Sequence, residues 1–530
     1  MEFQLADLFE CLCDARPDAS VLVAGNVRRT RADLERRANQ LAHFLQNRGI
    51  GCGDHVGIYA YNRIEWVEAL LACWKIRAAA INVNYRYVND ELRYIWNNAD
   101  MKALVYERGF GESVATLEPE FSALETYIVL EDGSNVSGPG VEYESVLSGQ
   151  TETRDFGPRS GDDIYLVYTG GTTGMPKGVL WRHEDLYSNL ARPLAGELER
   201  PEQIAKQADN PFNMHTLTLS PLMHGGGQWP LFITIFNGGV GLLPVSRNFD
   251  PVEVLSIIER EHVTTLSIIG DAMGRPLAET RLDPSRSWDT RSLMAISTGG
   301  ALLTDPVREL LREAFGKVFI TGGIGSSEIG SAAKETRGFD PTTGPRFKLD
   351  PSVAVLDAAL RKVEPGGVGR LARSGSIPLG YYKDEKKTAE TFVTDAGGVR
   401  WVLPGDWARV EADGTITLLG RGSSCINSGG EKIFPDEVEG VLARHPAVRG
   451  VTVLGIPDAA WMERVAALVE IQEGVEAPSL EELQAHCREH LAGYKVPREL
   501  ILCKIQRLPT GKVDQVWAKR YAQEALSGGG

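Results

Sequence analysis

The chain has 530 residues, 43% hydrophobic and 24% charged, the proportions of an ordinary globular protein. That length exceeds what one hydrophobic core fills, so two or more domains are expected. With 56 basic against 71 acidic residues the net charge is −15, which argues against a general nucleic-acid binder. A polyanionic ligand would have to be held by local groups against the overall field.

Met1 to Asp7 lacks the basic stretch of a signal peptide, and no apolar run is long enough to span a bilayer. A cytoplasmic, reduced location without a transmembrane segment is expected. The seven cysteines, Cys11, Cys13, Cys52, Cys73, Cys425, Cys487 and Cys503, show neither zinc-knuckle nor disulfide-scaffold spacing. Cys11 and Cys13 belong to an amphipathic N-terminal helix. Thr30-Arg-Ala-Asp33 caps a predicted helix running through Leu34, Ala38, Leu41 and Leu45 to Gly49. A second helix is expected over Trp66 to Trp74.

Apolar Ile164 to Val167 has the character of a buried strand and runs into Tyr168-Thr-Gly-Gly-Thr-Thr-Gly-Met-Pro-Lys-Gly178. Gly170, Gly171 and Gly174 let backbone N–H groups approach an anion, Thr169, Thr172 and Thr173 add hydroxyl donors, and Lys177 adds a cation suited to phosphate. This is the composition of a phosphate loop. A Walker-type loop is disfavoured, because Pro176 precedes Lys177, Gly178 follows it, and Pro176 turns Met175 away from helix. The loop should instead lead into extended Val179 to Trp181.

Beyond the loop, helix and strand alternate. Helix is predicted over Pro251 to Glu261 and Asp305 to Phe315, and strand over Val263 to Ile269, Leu293 to Ser297 and Val318 to Thr321. Such alternation implies largely parallel sheets with helices on their faces. Gly-rich turns are expected at Gly299-Gly300 and Gly322-Gly323, and strand ends of this kind gather ligands. Near residue 420 the character changes. A helix from Pro435 to Arg444, strands at Val451 to Leu454 and Ala466 to Ile471, and a Ser479 to Glu482 capping box describe a small α+β unit.

The 168–178 loop resembles the signature of the adenylate-forming superfamily, which includes acyl-CoA synthetases, luciferases and peptide-synthetase adenylation domains. Ordered motifs from about residue 160 onward extend the resemblance. Pro221-Leu-Met-His224-Gly-Gly-Gly227 is similar to the segment beside the carboxylate substrate, and Gly299, Gly300 and Ala301 to the adenine-proximal turn. Gly325-Ser326-Ser327-Glu328 is similar to a segment whose Glu helps hold Mg²⁺. There Ser327 replaces the family Thr, and Ile324 stands where an aromatic residue usually stacks on adenine. Pro404-Gly-Asp406 resembles the ribose-binding turn, and a carboxylate suits a diol because it accepts two hydrogen bonds. Arg421 matches the Arg that also reaches the ribose.

The resemblance implies an α/β fold: a large N-terminal domain, 1–420, of mixed, largely parallel sheets with flanking helices, a hinge at 421–424, and a small mobile α+β C-terminal domain, 425–530. Ser424 stands at the hinge position, where many members have Asp or Lys. Gly429, Gly430 and Glu431 match a CoA-approaching segment, and Leu508-Pro-Thr-Gly-Lys512 matches the mobile-loop lysine, with Tyr494 to Arg498 upstream. The implied activity is an ATP-dependent, AMP-forming acid–thiol ligation with Mg²⁺, ATP and CoA. Lys512, Glu328 and His224 would be catalytic, with Thr169 to Gly174 and Lys177 on the phosphates. A luciferase-like oxygenase and a ligase using a carrier-protein thiol remain alternatives. A peptide-synthetase module would be followed by a carrier domain, and a non-catalytic AMP-binding regulator would be expected to lack Lys512 or Glu328.

Gly225 to Gly227 and Gly322-Gly323 are expected to remove volume beside an acyl tunnel walled by Trp229, Leu231, Phe232 and Ile233. That favours a bulky or long apolar acid. Ser424-Cys-Ile-Asn-Ser428, with Trp181 and Gly325 to Glu328, most resembles bacterial synthetases for steroid side-chain acids. No heptad or exposed stripe decides the oligomeric state, and a homodimer is left open beside a monomer.

Overall fold

The computed structural model describes residues 2–169, 175–191, 194, 196–301, 303–336, 346–428, 431–458, 462–508 and 511–527. Local signals set its flanking helices. Thr30 and Asp33 form a reciprocal capping box that starts Arg31–Asn47. Asp250 accepts the N–H of Val252, and Pro251 opens Pro251–Glu261. Ser479 and Glu482 repeat the capping box at Leu480–Arg488. Helix Leu5–Ala15 buries Leu5, Leu8, Phe9 and Leu12, spaced three and four apart along one face.

Among the described residues the strands form four sheets. One is wholly parallel, in the order Ala79–Asn82, His55–Tyr59, Met101–Glu107, Thr126–Leu130 and Val141–Glu142. Its central strands are buried almost without a break, as strands covered on both faces must be. The largest sheet has an antiparallel edge strand, Val27–Thr30, followed by parallel strands Ser20–Ala24, Val240–Leu243, His215–Thr218, Thr265–Ile268 and Ala295–Thr298. It then continues as antiparallel strands that include Gly330–Glu335, Ile416–Arg421, Asp406–Val410 and Val368–Arg373.

Strand Phe319–Ser326 joins the two halves, and here the structure corrects the sequence reading. The expected turn at Gly322-Gly323 is instead the point where one continuous strand changes partner. Gly322 is the last residue paired in parallel, with Thr298, and Gly323 the first paired antiparallel, with Lys334. The Glu335 carboxylate accepts the Gly322 N–H at 2.6 Å and pairs with Arg308 at 2.9 Å, filling the space a side chain would need.

A third sheet is the hairpin Ile164–Thr169 with Lys177–Arg182, extended by Gly380–Tyr381. The fourth is C-terminal, where Ile426–Ser428, Glu431–Ile433, Val448–Asp458 and Met462–Ile471 run antiparallel and Glu499–Leu502 is parallel to its neighbour. Helices Pro435–Leu442 and Leu480–Arg488 bury Val438, Val441, Leu442 and Leu483 on one face of it. Trp517, Ala518 and Ala522 of Gln515–Ser527 cover the other. The result is a mixed α/β architecture with a large N-terminal part and a small C-terminal one. Among the described residues no helix is long and apolar enough to cross a membrane.

One ionic cluster lies inside the N-terminal core. Lys75 is fully buried, with its ammonium 2.5 Å from Glu10 and 2.8 Å from Glu35. Arg159 also pairs with Glu10, and Arg154 with Glu35. Removing one member of a buried network leaves the others uncompensated. Lys75→Met should therefore destabilise the protein by about 3–5 kcal/mol, read from the denaturant midpoint. A loss below about 1 kcal/mol would mean that the two arginines neutralise both carboxylates unaided.

Candidate active site

The strands on either side of the expected phosphate loop pair with each other, with Thr169 opposite Lys177. Thr169 Oγ donates to the Lys177 carbonyl at 3.4 Å. Gly170, Gly171, Thr172, Thr173 and Gly174 lie outside the described residues. The expected extended exit is present as strand Lys177–Arg182. Lys177 is not a free cation here, because its ammonium pairs with Asp384, the N-cap of helix Glu385–Thr391. That pairing, with the Lys387 N–H, holds the Asp384 carboxyl below the usual range.

The amide of Asn82, at the end of its parallel strand, ties this hairpin to the His224 segment. It donates to Tyr168 O at 2.9 Å and Met223 O at 2.6 Å, and it accepts the Tyr168 N–H at 2.7 Å. His224 is the N-cap of helix Gly225–Phe236 but makes no side-chain cap bond. Its Nε2 is buried and, among the described residues, has no hydrogen-bond partner. Burial, with Lys512 and Arg86 nearby, pushes this imidazole down to about 4.

Two of the expected space-making glycines do other work. A Cβ on Gly227 would lie 2.2 Å from the Pro221 carbonyl, and one on Gly225 would lie 2.9 Å from the Trp229 ring. Of that set only Gly226 opens onto space, and a Cβ on Gly323 would make ordinary contact with the Ala333 carbonyl at 3.8 Å. Leu231 and Phe232 are correspondingly core residues. Leu231 packs over Gly241, and Phe232 meets the rings of Trp74 and Tyr165 edge-on.

Ser326 ends the partner-switching strand, Ser327 and Glu328 follow it, and the turn is locked from two sides. Trp181 Nε1 donates to Ser327 O at 2.9 Å. Asn189 donates to Ile329 O at 3.3 Å and accepts the Ser331 N–H at 3.0 Å. Gly325 meets the Gly330 carbonyl, and Ile324 is buried in the core. Glu328 accepts the Tyr381 hydroxyl at 3.1 Å, and among the described residues it has no basic partner. The neighbouring Ser326 Oγ is buried without a partner among those residues. A carboxylate and a hydroxyl are hard oxygen donors, a set that fits Mg²⁺ better than a soft metal.

Asp406 and Arg421 are brought together by antiparallel pairing of their strands, where they are directly opposite. Nε of Arg421 lies 3.4 Å from the carboxylate. Desolvation raises the Asp406 carboxyl; Arg421 opposes that, Glu328 adds to it and Lys512 opposes it.

Lys512 comes from the C-terminal sheet domain yet reaches this cluster. Leu508 and Lys512 close a tight turn, Leu508 N–H donating to Lys512 O at 2.7 Å and Gly511 N–H to Leu508 O at 2.7 Å. Gly511 has φ +79, and a Cβ there would lie 2.9 Å from Ala272, so only glycine permits this approach to helix Gly270–Leu282. Lys512 Cε then lies 3.7 Å from where a Cβ of Gly300 would stand. Desolvation and Arg421 pull its ammonium below the usual lysine range, and Asp406 opposes them. Gly299 and Ala301 flank that contact. Exposed Ser424 ends the short turn Gly422–Ser424. Glu431 pairs with Ser428 on the C-terminal sheet, while Gly429 and Gly430 lie outside the described residues.

The AMP-binding enzyme family matches residues 9–382, and the AMP-binding enzyme C-terminal domain matches residues 437–512. The chain belongs to the AMP-binding enzyme family. This AMP-binding enzyme is 44% identical to a 3-oxocholest-4-en-26-oate–CoA ligase of Rhodococcus rhodochrous, over 100% of this chain and 98% of that protein. It is 46% identical to a medium/long-chain-fatty-acid–CoA/3-oxocholest-4-en-26-oate–CoA ligase of Mycolicibacterium smegmatis, over 99% and 97% of the two chains. Its fold matches the anthranilate–CoA ligase AuaEII in complex with anthranoyl-AMP, with TM-score 0.85 at 23% identity, over 99% and 98% of the chains. ATP-bound MatB of Rhodopseudomonas palustris gives 0.82 at 22%, over 98% and 99%.

Several residues that position this site went unread in the sequence: Asn82, Asp384, Tyr381 and Arg86. Arg86 stacks over Tyr85 at 5.0 Å and adds charge near His224. Asn, Asp and Tyr are common everywhere, and their partners are far away in sequence, so no local pattern marked them. The imidazole of His224 in the AMP-binding enzyme makes a checkable pH prediction. Its folded value is about 4 against the ordinary 6.5, so its contribution to stability is complete above 6.5 and is lost as pH falls toward 4. His224→Gln, neutral throughout, should lose less melting temperature than the parent between about pH 7 and about pH 5. Parallel losses would show that His224 is not held neutral.

Proposed function

We propose that this AMP-binding enzyme is an AMP-forming acyl-CoA synthetase for large apolar carboxylic acids, namely 3-oxo steroid side-chain acids and medium- or long-chain fatty acids. The observation that carries the mechanism is the approach of Lys512 to Gly300, Asp406, Arg421 and His224 across the boundary between the two sheet systems. The acyl class rests on the named activities of relatives 44% and 46% identical over nearly the whole chain.

In the first half-reaction a carboxylate oxygen attacks the α-phosphorus of ATP, the bond to the β-phosphate oxygen breaks, and pyrophosphate leaves. Lys512 bridges the α-phosphate and the incoming carboxylate, where charge grows in the transition state. Lys177, exchanging Asp384 for phosphate oxygens, and the Thr169 to Gly174 loop hold the β and γ groups. Asp406 and Arg421 grip the ribose, and Gly299 to Ala301 with Gly325 to Ser327 border the adenine. Neutral His224 lines the acid. Glu328, helped by Ser326, would hold Mg²⁺, which when bound screens the phosphate charge. In the second half-reaction the CoA thiolate attacks the acyl carbon and AMP leaves. The C-terminal domain turns about Ser424, withdrawing Lys512 and bringing Gly429 to Glu431 toward the thiol.

The direct test is pyrophosphate release and product mass spectrometry with 3-oxocholest-4-en-26-oate, fatty acids of graded length and benzoate, with and without CoA. Acyl-CoA from the apolar acids is expected. Acyl-adenylate that persists with CoA present would point to a carrier-protein thiol, and O₂ consumption to luciferase-like chemistry. Lys512→Ala should slow adenylation by about 10²–10³-fold, the usual cost of one preorganised charge-stabilising group, and leave thioester formation from supplied acyl-adenylate nearly unchanged. Equal losses in both halves would remove that role. Ser424→Pro, by restricting φ, should preserve pyrophosphate release while impairing thioester formation. Unimpaired thioester formation would move the hinge elsewhere.

A further inference from the structure

Three of the nine histidines meet at one corner of the C-terminal domain. The ring of His486 lies 5.4 Å from that of His445 and 5.6 Å from that of His490, both edge-on. His486 is in helix Leu480–Arg488, Glu489 is its C-cap in αR conformation, and the His490 N–H donates to Cys487 O at 3.1 Å. The backbone therefore keeps its helical turn, and positions 486, 489 and 490 share one face. One ligand atom from each of the three lies within 4.8 Å of the others.

The hydrogen bonds around these rings decide which nitrogens are available. His486 Nε2 lies 3.0 Å from the Val441 carbonyl, which only accepts, so this nitrogen carries the hydrogen and Nδ1 keeps its lone pair. A ligating histidine is typically oriented in this way, its other N–H given to a backbone carbonyl. His445 differs. Its Nδ1 accepts the Ala447 N–H at 3.3 Å, so in the neutral ring the hydrogen is on Nε2 and no lone pair is left to offer. Glu489 has no basic partner among the described residues, and neighbouring Arg488 is turned back to Gln484 at 3.2 Å. The carbonyls at the end of a helix also favour a cation there.

We propose that His486, Glu489 and His490 bind one divalent transition-metal ion of the zinc class on the outer face of the C-terminal domain. Ligand atoms on a tetrahedral zinc at about 2.0–2.2 Å are roughly 3.3 Å apart, which rotamer adjustment of two exposed side chains reaches. Two imidazoles at i and i+4 with a carboxylate select Zn²⁺, Co²⁺, Ni²⁺ or Cu²⁺ over Mg²⁺ and Ca²⁺, so this ion is distinct from the one assigned to Glu328. The fourth position is open to water. Through the His486 hydrogen bond to Val441, the ion stiffens the junction of helices Leu480–Arg488 and Pro435–Leu442.

The test is a Co²⁺ titration of tag-free, chelator-treated full-length protein in excess Mg²⁺, followed by visible absorption and then by Zn²⁺ displacement. One equivalent per chain is expected, with binding weakened at least about tenfold by His486→Ala and by His490→Ala and unchanged by His445→Ala. Zinc should also raise the melting temperature of the parent but not of His490→Ala, whose altered side chain is exposed and not needed for folding. Failure to saturate, displacement by Mg²⁺, or retained binding in His486→Ala and His490→Ala together would overturn the site. Retained binding would place the ion on other groups, such as exposed Cys52.

Discussion

The side-chain amide of Asn82 is the joint on which the rest of the site depends. With three hydrogen bonds of 2.6–2.9 Å it fastens the end of a parallel strand, the Tyr168 strand that leads into the phosphate loop, and the Met223 carbonyl just before His224. An amide uses its donor and acceptor capacity together here, and in a buried position each bond lost would leave a backbone group unpaired. Secondary bonds reinforce the join. Asn62 accepts the Leu222 N–H at 2.7 Å, and Gln228 donates to Leu222 O at 2.7 Å. The Tyr168 strand and the His224 segment are thereby set at a defined separation.

Electrostatics then work against the chain as a whole. The protein carries a net charge of −15, yet Lys512 lies near Arg421 and shares the surroundings of His224 with Arg86, while Lys177 stands beside the Tyr168 strand. Carboxylates shield two of these cations directly: Asp384 pairs with Lys177, and Asp406 with Arg421. Lys512 is different, because burial and Arg421 both make its charge costly. A phosphate anion held between Lys512 and Arg421, as proposed for ATP, would relieve that cost and make binding energy available where negative charge accumulates. The contact across the two sheet systems rests on small residues, Gly511 against Ala272 and Lys512 over Gly300.

Much of this was legible in the chain. The capping boxes at Thr30 and Ser479 were, and so were the helix bounds Pro251–Glu261 and Asp305–Phe315, because caps and apolar periodicity are local signals. The strand through Gly322 and Gly323 was not. Adjacent glycines normally punctuate chain, and only the change from a parallel to an antiparallel neighbour explains why a strand continues there. Gly225 and Gly227 misled in a related way. Their missing side chains make room for Trp229 and for the Pro221 carbonyl, and Leu231 and Phe232 then belong to the core. Trp181 was notable only as a feature of resemblance until its Nε1 was placed on Ser327 O.

By itself the sequence determined the chemistry on offer: a loop of glycines, threonines and a lysine after a buried strand, a histidine before three glycines, and a lysine after Thr-Gly near the end. It also determined the α/β alternation, since those signals act over a few residues. Only the tertiary structure decided which groups meet. Asp406 and Arg421 face one another because their strands pair, Lys177 finds Asp384 some 200 residues away, and Lys512 crosses to Gly300. Long-range contacts of this kind come from sheet register and from how closely backbones approach, and neither is written in any short window of residues.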